Sequence, residues 1–307
     1  MSRMQRKGRA SVKWIIGVAL LGVLGAGAVL SSKPKTEFDG GRAFDILKRQ
    51  CDLGPRPVGT PAHEKMRAFL LQAMKQVADS TVVQDFNWAK GGKSYRLTNI
   101  LGVLNPKGQG SVMISGHWDT RPTADQEKDP EKRKLPIMGA HDGASEVAVI
   151  LELGRVLRLQ RPKAKVYLML FDGEDFGPKV DNMFLGARYF ARHMGENRPD
   201  KMILIDMIGD ADLNIYKETN SLNSDRDLVE RVWSTAARLG YSKQFPNELK
   251  YTIQDDHLSM QDAGVPSIDL IDFDYPYWHT LGDTVDKCSP GSLEAVGRTL
   301  QTVVKEW

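Results

Sequence analysis

Five residues of this chain are of the types that hold metal ions, and most stand where a strand runs out: His117, Asp142, Asp175, Asp206 and His279. The segment 111–115 runs into Gly116-His117-Trp118-Asp119, and the apolar segment 166–171 into Asp172-Gly173-Glu174-Asp175. The segment 201–205 meets Asp206, while 267–271 leads through an aromatic loop to Trp278-His279; a further loop, 139–143, carries Asp142 ahead of a helix. Carboxylates and imidazoles gathered on one edge of a sheet repel one another and are costly to desolvate. A divalent cation offsets that cost, and zinc accepts mixed histidine and carboxylate ligands, about four of them. Each residue alone has an ordinary alternative. An Asp before a helix is a good cap, and a His after a strand can be a hydrogen-bonded structural residue. Glu174-Asp175 is more telling, because one acid of such a pair can bind metal while the other moves protons.

Positioning these groups requires alternating elements. Apolar spacing of three and four predicts helices over 38–51, 63–77, 146–159, 182–193, 225–239 and 291–305. Strands are expected over 80–86, 97–104, 111–115, 166–171, 201–208 and 267–271, with a turn at Asn105-Pro106-Lys107-Gly108. Strands alternating with helices predict one α/β domain with a mixed, mostly parallel central sheet covered on both faces. The ligand site of such a sheet gathers at the carboxyl ends of its strands. The charged stretch 125–134 is expected to be a solvated surface loop.

The net charge of +3 belongs to the N-terminus. Residues 1–35 carry seven basic and no acidic side chains, leaving 35 basic against 39 acidic in the rest. A mildly acidic body excludes a phosphate-binding surface, so no nucleic-acid partner is expected. Five basic residues precede the uncharged apolar run 14–30. This pattern inserts with its N-terminus inside, as a membrane anchor or a signal peptide. Residues 1–35 therefore form a targeting segment, and 36–307 an exported catalytic domain. Export leaves open whether Cys51 and Cys288, the two cysteines, are bridged.

Taken together, the motifs resemble the zinc-dependent aminopeptidases with co-catalytic metals, over about residues 38–307. Gly116-His117-Trp118-Asp119, the loop 139–144, Glu174-Asp175 and Asp206-Met207-Ile208-Gly209 carry the general likeness. Phe171-Asp172-Gly173-Glu174, Leu185-Gly186-Ala187-Arg188, Gln254-Asp255-Asp256-His257 and Trp278-His279-Thr280 resemble the glutaminyl cyclase branch. The resemblance implies one zinc on Asp142, Asp175 and His279, with Glu174 as proton shuttle. In the peptidases a second zinc sits on the residues matching His117 and Asp206, bridged by the match of Asp142. In the cyclases the match of Asp206 grips the substrate amine instead. The implied activity is cyclisation of N-terminal glutamine on peptides or proteins, with Trp278 as an apolar wall and Asp206 and Asp255 completing the polar network. Its alternative is a di-zinc aminopeptidase. A metal-free binding module would dispense with a ligand, and none is missing. One departure stands out: animal cyclases have a His shortly after the Gly-Val-Pro step, where this chain has Asp269. If Asp269 faces Asp255, the two must share a proton or be separated by a basic group.

Overall fold

Runs such as 166–171 have no polar face because a strand inside a parallel sheet is buried on both sides. The computed structural model describes Met1 and residues 36–307, and residues 36–307 form one compact unit. Its strands are β1 (Ser80–Lys90), β2 (Lys93–Leu104), β3 (Ser111–His117), β4 (Lys165–Phe171), β5 (Lys201–Asp206), the short β6 (Lys217–Glu218) and β7 (Leu249–Tyr251), and β8 (Ser267–Ile271). Its α-helices are α1 (Gly40–Cys51), α2 (Pro61–Val77), α3 (Ala144–Gln160), α4 (Leu185–Arg192), α5 (Thr219–Arg238), α6 (Asp256–Asp262) and α7 (Pro290–Lys305). The main sheet has the order β1-β2-β4-β3-β5-β8. Pairings β4–β3, β3–β5 and β5–β8 are parallel, whereas β1–β2 and β2–β4 are antiparallel. The expected mixed, mostly parallel sheet is therefore present.

Alternation along each strand sorts the core into two layers. Val112, Ile114, Val166, Leu168, Leu170, Ile203 and Ile205 pack on one face with residues of α1, α2, α3, α5 and α7. Met113, Tyr167, Met169, Phe171, Met202 and Leu204 pack on the other with Ala187 and Phe190 of α4 and Met260 of α6. Period-two alternation between two apolar faces is what a buried strand shows. Local signals start the helices: Thr60 caps α2 through the His63 amide with Pro61 at the first position, and Ser289-Pro290 starts α7 in the same way.

Several boundaries differ from the sequence expectation. β1 and β2 extend to a hairpin turning at Gly91-Gly92, both at positive φ. The helix expected over 182–193 shortens to α4 behind a 3-10 turn at Val180–Asn182, and β5 stops at Asp206. Both cysteine thiols are free and buried. No helix among the described residues is long and apolar enough to cross a membrane, and the run 14–30 lies outside the described residues.

Candidate metal centre and active-site cleft

His117 is the last residue of β3, Asp206 the last of β5, and Glu174-Asp175 follow the turn after β4. All three therefore sit at the carboxyl edge of the parallel strands, where the β8 loop delivers Trp278 and His279. His279 and Met207 both hold left-handed backbone, at φ +50 and +46. Such conformations cost of order 1 kcal/mol each and persist where the surroundings dictate them.

The ligand atoms fall into two groups that share Asp142. Those of Asp142, Asp175 and His279 lie within 4.8 Å of one another, and so do those of His117, Asp142 and Asp206. His279 Nε2 is 3.5 Å from Asp142 Oδ2 and 3.5 Å from Asp175 Oδ1. His117 Nε2 is 3.1 Å from Asp142 Oδ1 and 3.4 Å from Asp206 Oδ1. Asp142 thus turns one oxygen to each group. Two ligands of a tetrahedral zinc stand about 3.3 Å apart, so the spacing around His279 fits that ion. The buried Asp175 Oδ2, which lacks a hydrogen-bond partner, fits a cationic neighbour too.

A further layer of side chains holds this edge in place. Asp119 accepts the backbone N–H groups of Gly173, Glu174 and Asp175 at 2.9, 3.1 and 3.2 Å, fixing the acidic turn. Asp283 accepts those of His141 and Asp142 at 2.9 and 3.3 Å. The buried Arg56 donates to the carbonyls of Met138 and Gly139 at 3.0 and 2.9 Å, clamping the start of the Asp142 loop. The residue immediately before α3 is Gly143, at φ +101, rather than Asp142, whose carboxylate is left for the site.

The charged loop 125–134 corrects the sequence reading. Asp125 turns inward, with Oδ1 3.0 Å from His279 Nδ1 and Oδ2 accepting from Arg121 at 2.9 Å. Arg121 also donates to Asp175 Oδ1 at 3.0 Å. One guanidinium therefore ties the partner of His279 to Asp175. A carboxylate on the far nitrogen fixes the tautomer of a ligating histidine. A second buried pair, His63 Nε2 with Asp172 Oδ1 at 2.9 Å, braces the same turn, and His63 stacks on Trp118.

Electrostatics separates the adjacent acids. Burial and the neighbouring Asp175 push the Glu174 carboxyl well above its usual range. Burial would raise Asp175 too, but His279 and Arg121 hold it below the usual range. Neighbouring groups driven apart in this way mark the acid/base residue and the permanently charged one.

Glu174, Asp175, Asp142, Asp206, Asp255 and His279 line a cavity of about 60 Å³, walled by Ile253, Ile271, Phe273 and Trp278. That is room for a few waters or a short side chain. Trp278 is half-buried and stacks on His279 with ring centroids 4.1 Å apart. Asp255 caps α6. Asp269 is buried too; burial and then Asp206 raise both carboxyls, helped by Asp269 for Asp255 and by Glu218 for Asp269. His257 Nδ1 is 3.8 Å from Asp269 Oδ2, but burial lowers this imidazole to about 3, so it cannot neutralise the pair at neutral pH. His141 accepts the Gly209 amide, and His193 is exposed; neither enters the site.

A mixed sheet flanked by helices, with acids and imidazoles at its carboxyl edge, defines an α/β domain with a candidate metal centre. Among such domains, the chain belongs to Peptidase family M28, whose model matches residues 99–304. A glutaminyl cyclase of Bacteroides thetaiotaomicron is 32% identical, with TM-score 0.84 over 88% of this chain and 99% of that one. A Zn-dependent exopeptidase of Parabacteroides distasonis is 31% identical, with TM-score 0.85 over the same shares. The glutaminyl-peptide cyclotransferase of Drosophila melanogaster is 28% identical over 262 residues, 75% of this chain and 71% of the relative.

Proposed function

We propose that this chain is a zinc-dependent glutaminyl-peptide cyclotransferase, converting N-terminal glutamine to pyroglutamate with release of ammonia. The carrying observation is the small cleft whose apolar wall of Trp278, Phe273, Ile253 and Ile271 faces Glu174 and the His279 group. Hydrolysis needs a water at the scissile carbonyl, whereas cyclisation needs water kept out. Kinship with named glutaminyl cyclases supports the same reading.

Asp142, Asp175 and His279 would hold the zinc, which supplies Lewis-acid polarisation of the substrate's side-chain amide. Trp278 would press the glutamine stem into a folded pose, and Asp206 would hold the α-amine by hydrogen bonds. The amine nitrogen attacks the side-chain carbonyl carbon, forming the ring C–N bond. Glu174 takes a proton from that nitrogen and returns it to the departing NH₂ group, which leaves as ammonia as its C–N bond breaks. Both reacting groups belong to one residue, so orientation provides much of the acceleration.

Residues 1–35 are proposed as a targeting segment and 36–307 as an exported catalytic domain acting on peptide or protein N-termini. Di-zinc aminopeptidase action is the competing reading, favoured by the second group of His117, Asp142 and Asp206. Offering Gln-Ala and Leu-Ala peptides together separates the two. Ammonia release from the first is expected, and free leucine without ammonia would reject the cyclase. Glu174→Gln should lower turnover by about 10²–10⁴-fold with zinc still bound; retained turnover would remove Glu174 from the proton path.

A further inference from the structure

The cleft of about 60 Å³ holds one short side chain, so the rest of a substrate peptide must leave through its mouth. Of the residues that line the cleft, only Gln254 and Phe273 are exposed, which puts the mouth at these two. Phe273 is also the first ring beyond Trp278 in a row that runs outward. Its centroid lies 5.1 Å from that of Trp278; Tyr251 follows edge-on at 5.7 Å, and Tyr216 at 6.4 Å from Tyr251. Neither tyrosine lines the cleft itself.

Three separate elements supply these rings: Tyr216 precedes β6, Tyr251 ends β7 and Phe273 follows β8. An aromatic cluster that served only packing would be covered, and this one is open. Phe273 is 38% exposed, Tyr251 and Tyr216 are half-buried, and Leu249, on the same face of β7 as Tyr251, is 57% exposed. A contiguous apolar patch with a polar rim marks a binding surface. The charges of that rim neutralise each other. Both oxygens of Asp274 hold the Lys250 amine, at 2.8 and 2.6 Å, and Asp274 also accepts the Tyr251 hydroxyl. The same amine lies 4.3 and 5.2 Å from the ring centroids of Tyr216 and Tyr251 and steadies both. Rings fixed before a ligand arrives lose little entropy when it binds.

We infer that Phe273, Tyr251 and Tyr216 form a downstream subsite that takes an aromatic side chain from the residue after the substrate's N-terminal glutamine. Extended chain advances about 3.3–3.6 Å per residue, so the first residues after glutamine reach Phe273 and Tyr251. The inference rests on the cyclase reading and names the peptides that such an enzyme prefers.

The test follows ammonia release from Gln-Phe-Ala, Gln-Ala-Ala and Gln-Glu-Ala by the zinc-loaded full chain, with folding checked by circular dichroism. Wild type should use the phenylalanine peptide about tenfold more efficiently than the other two, through a lower KM. Tyr251→Ala should cut that ratio to about twofold or less. Tyr251→Phe keeps the ring, loses the hydroxyl bond to Asp274 and should retain the preference. Equal use of the three peptides by wild type, a preference for the glutamate peptide, or an unaltered ratio in a folded Tyr251→Ala would overturn the proposal. Should Tyr251→Ala fail to fold, photo-crosslinking of wild type with benzoylphenylalanine in place of the phenylalanine decides. Label on Phe273, Tyr251 or Tyr216 is expected. Label on Tyr95 or Phe176, which line a separate cavity of about 440 Å³, rejects the subsite. No ammonia from any peptide defeats the cyclase reading, whereas equal ammonia from all three defeats the subsite alone.

Discussion

A histidine ligates only through an unprotonated nitrogen, and His279 resists giving up its proton before metal arrives. Burial opposes the charged imidazole, yet Asp175 and Asp125 beside it raise it to about 9. Zinc entry must expel that proton. Below the raised value, each unit of acidification should weaken zinc binding about tenfold, and above it the dependence should flatten. Chelator competition between about pH 7 and 10 measures this, and a flat profile would remove His279 from the ligand set. Asp125 acts on the same nitrogen pair from outside. Asp125→Ala should weaken zinc binding about 10–100-fold in the same assay, while unchanged affinity would reduce Asp125 to a loop contact.

At the scale of elements, the turn after β4 decides whether Glu174 and Asp175 reach the cleft. Gly173 holds φ +76, and a Cβ there would lie 2.2 Å from Leu97 Cδ2. Gly173→Ala combines left-handed strain of about 1–2 kcal/mol with overpacking of about 1–3 kcal/mol. A fall in urea midpoint equivalent to about 2–5 kcal/mol is expected from those two effects, and an unmoved midpoint would show that the turn relaxes freely. This turn was legible in the sequence because an apolar strand ends abruptly in Asp-Gly-Glu-Asp. The same logic located β8 at its observed bounds and led to His279. The tip of the β1–β2 hairpin was missed although Phe86 and Trp88 alternate toward Gly91-Gly92 and Tyr95 and Leu97 alternate away from it; the polar residues between them masked the pattern. Asp125 was missed for another reason. A charged loop residue looks ordinary until folding sets it beside His279, 154 residues away. The contacts that tune a site are long-range, and a single sequence does not record them.

Across the whole molecule, the carboxyl edge of the sheet concentrates acids in a low-dielectric interior. Asp142, Glu146, Glu174 and Asp255 are all raised, with burial the first cause in each, and Asp283 and Asp256 are raised to about 7 and about 8. Zinc binding to the native state alone stabilises it by about 4 kcal/mol at free zinc a thousandfold above Kd. For a domain of this size that corresponds to roughly 10 °C in Tm, the drop expected on chelation. The pH dependence gives a sharper test. An acid whose folded pKa is raised binds its proton more tightly in the native state, so stability falls as pH rises from the unfolded value through the folded one. His279 has the same sign: its contribution is full below the ordinary imidazole value and is lost as pH rises through about 9. Chelated protein should therefore gain Tm on acidification from about pH 8 to 5, while zinc-loaded protein loses its advantage as protons displace the ion. Melting curves with and without chelator across that range should converge toward acid. A constant gap would mean that the zinc is held by groups other than these.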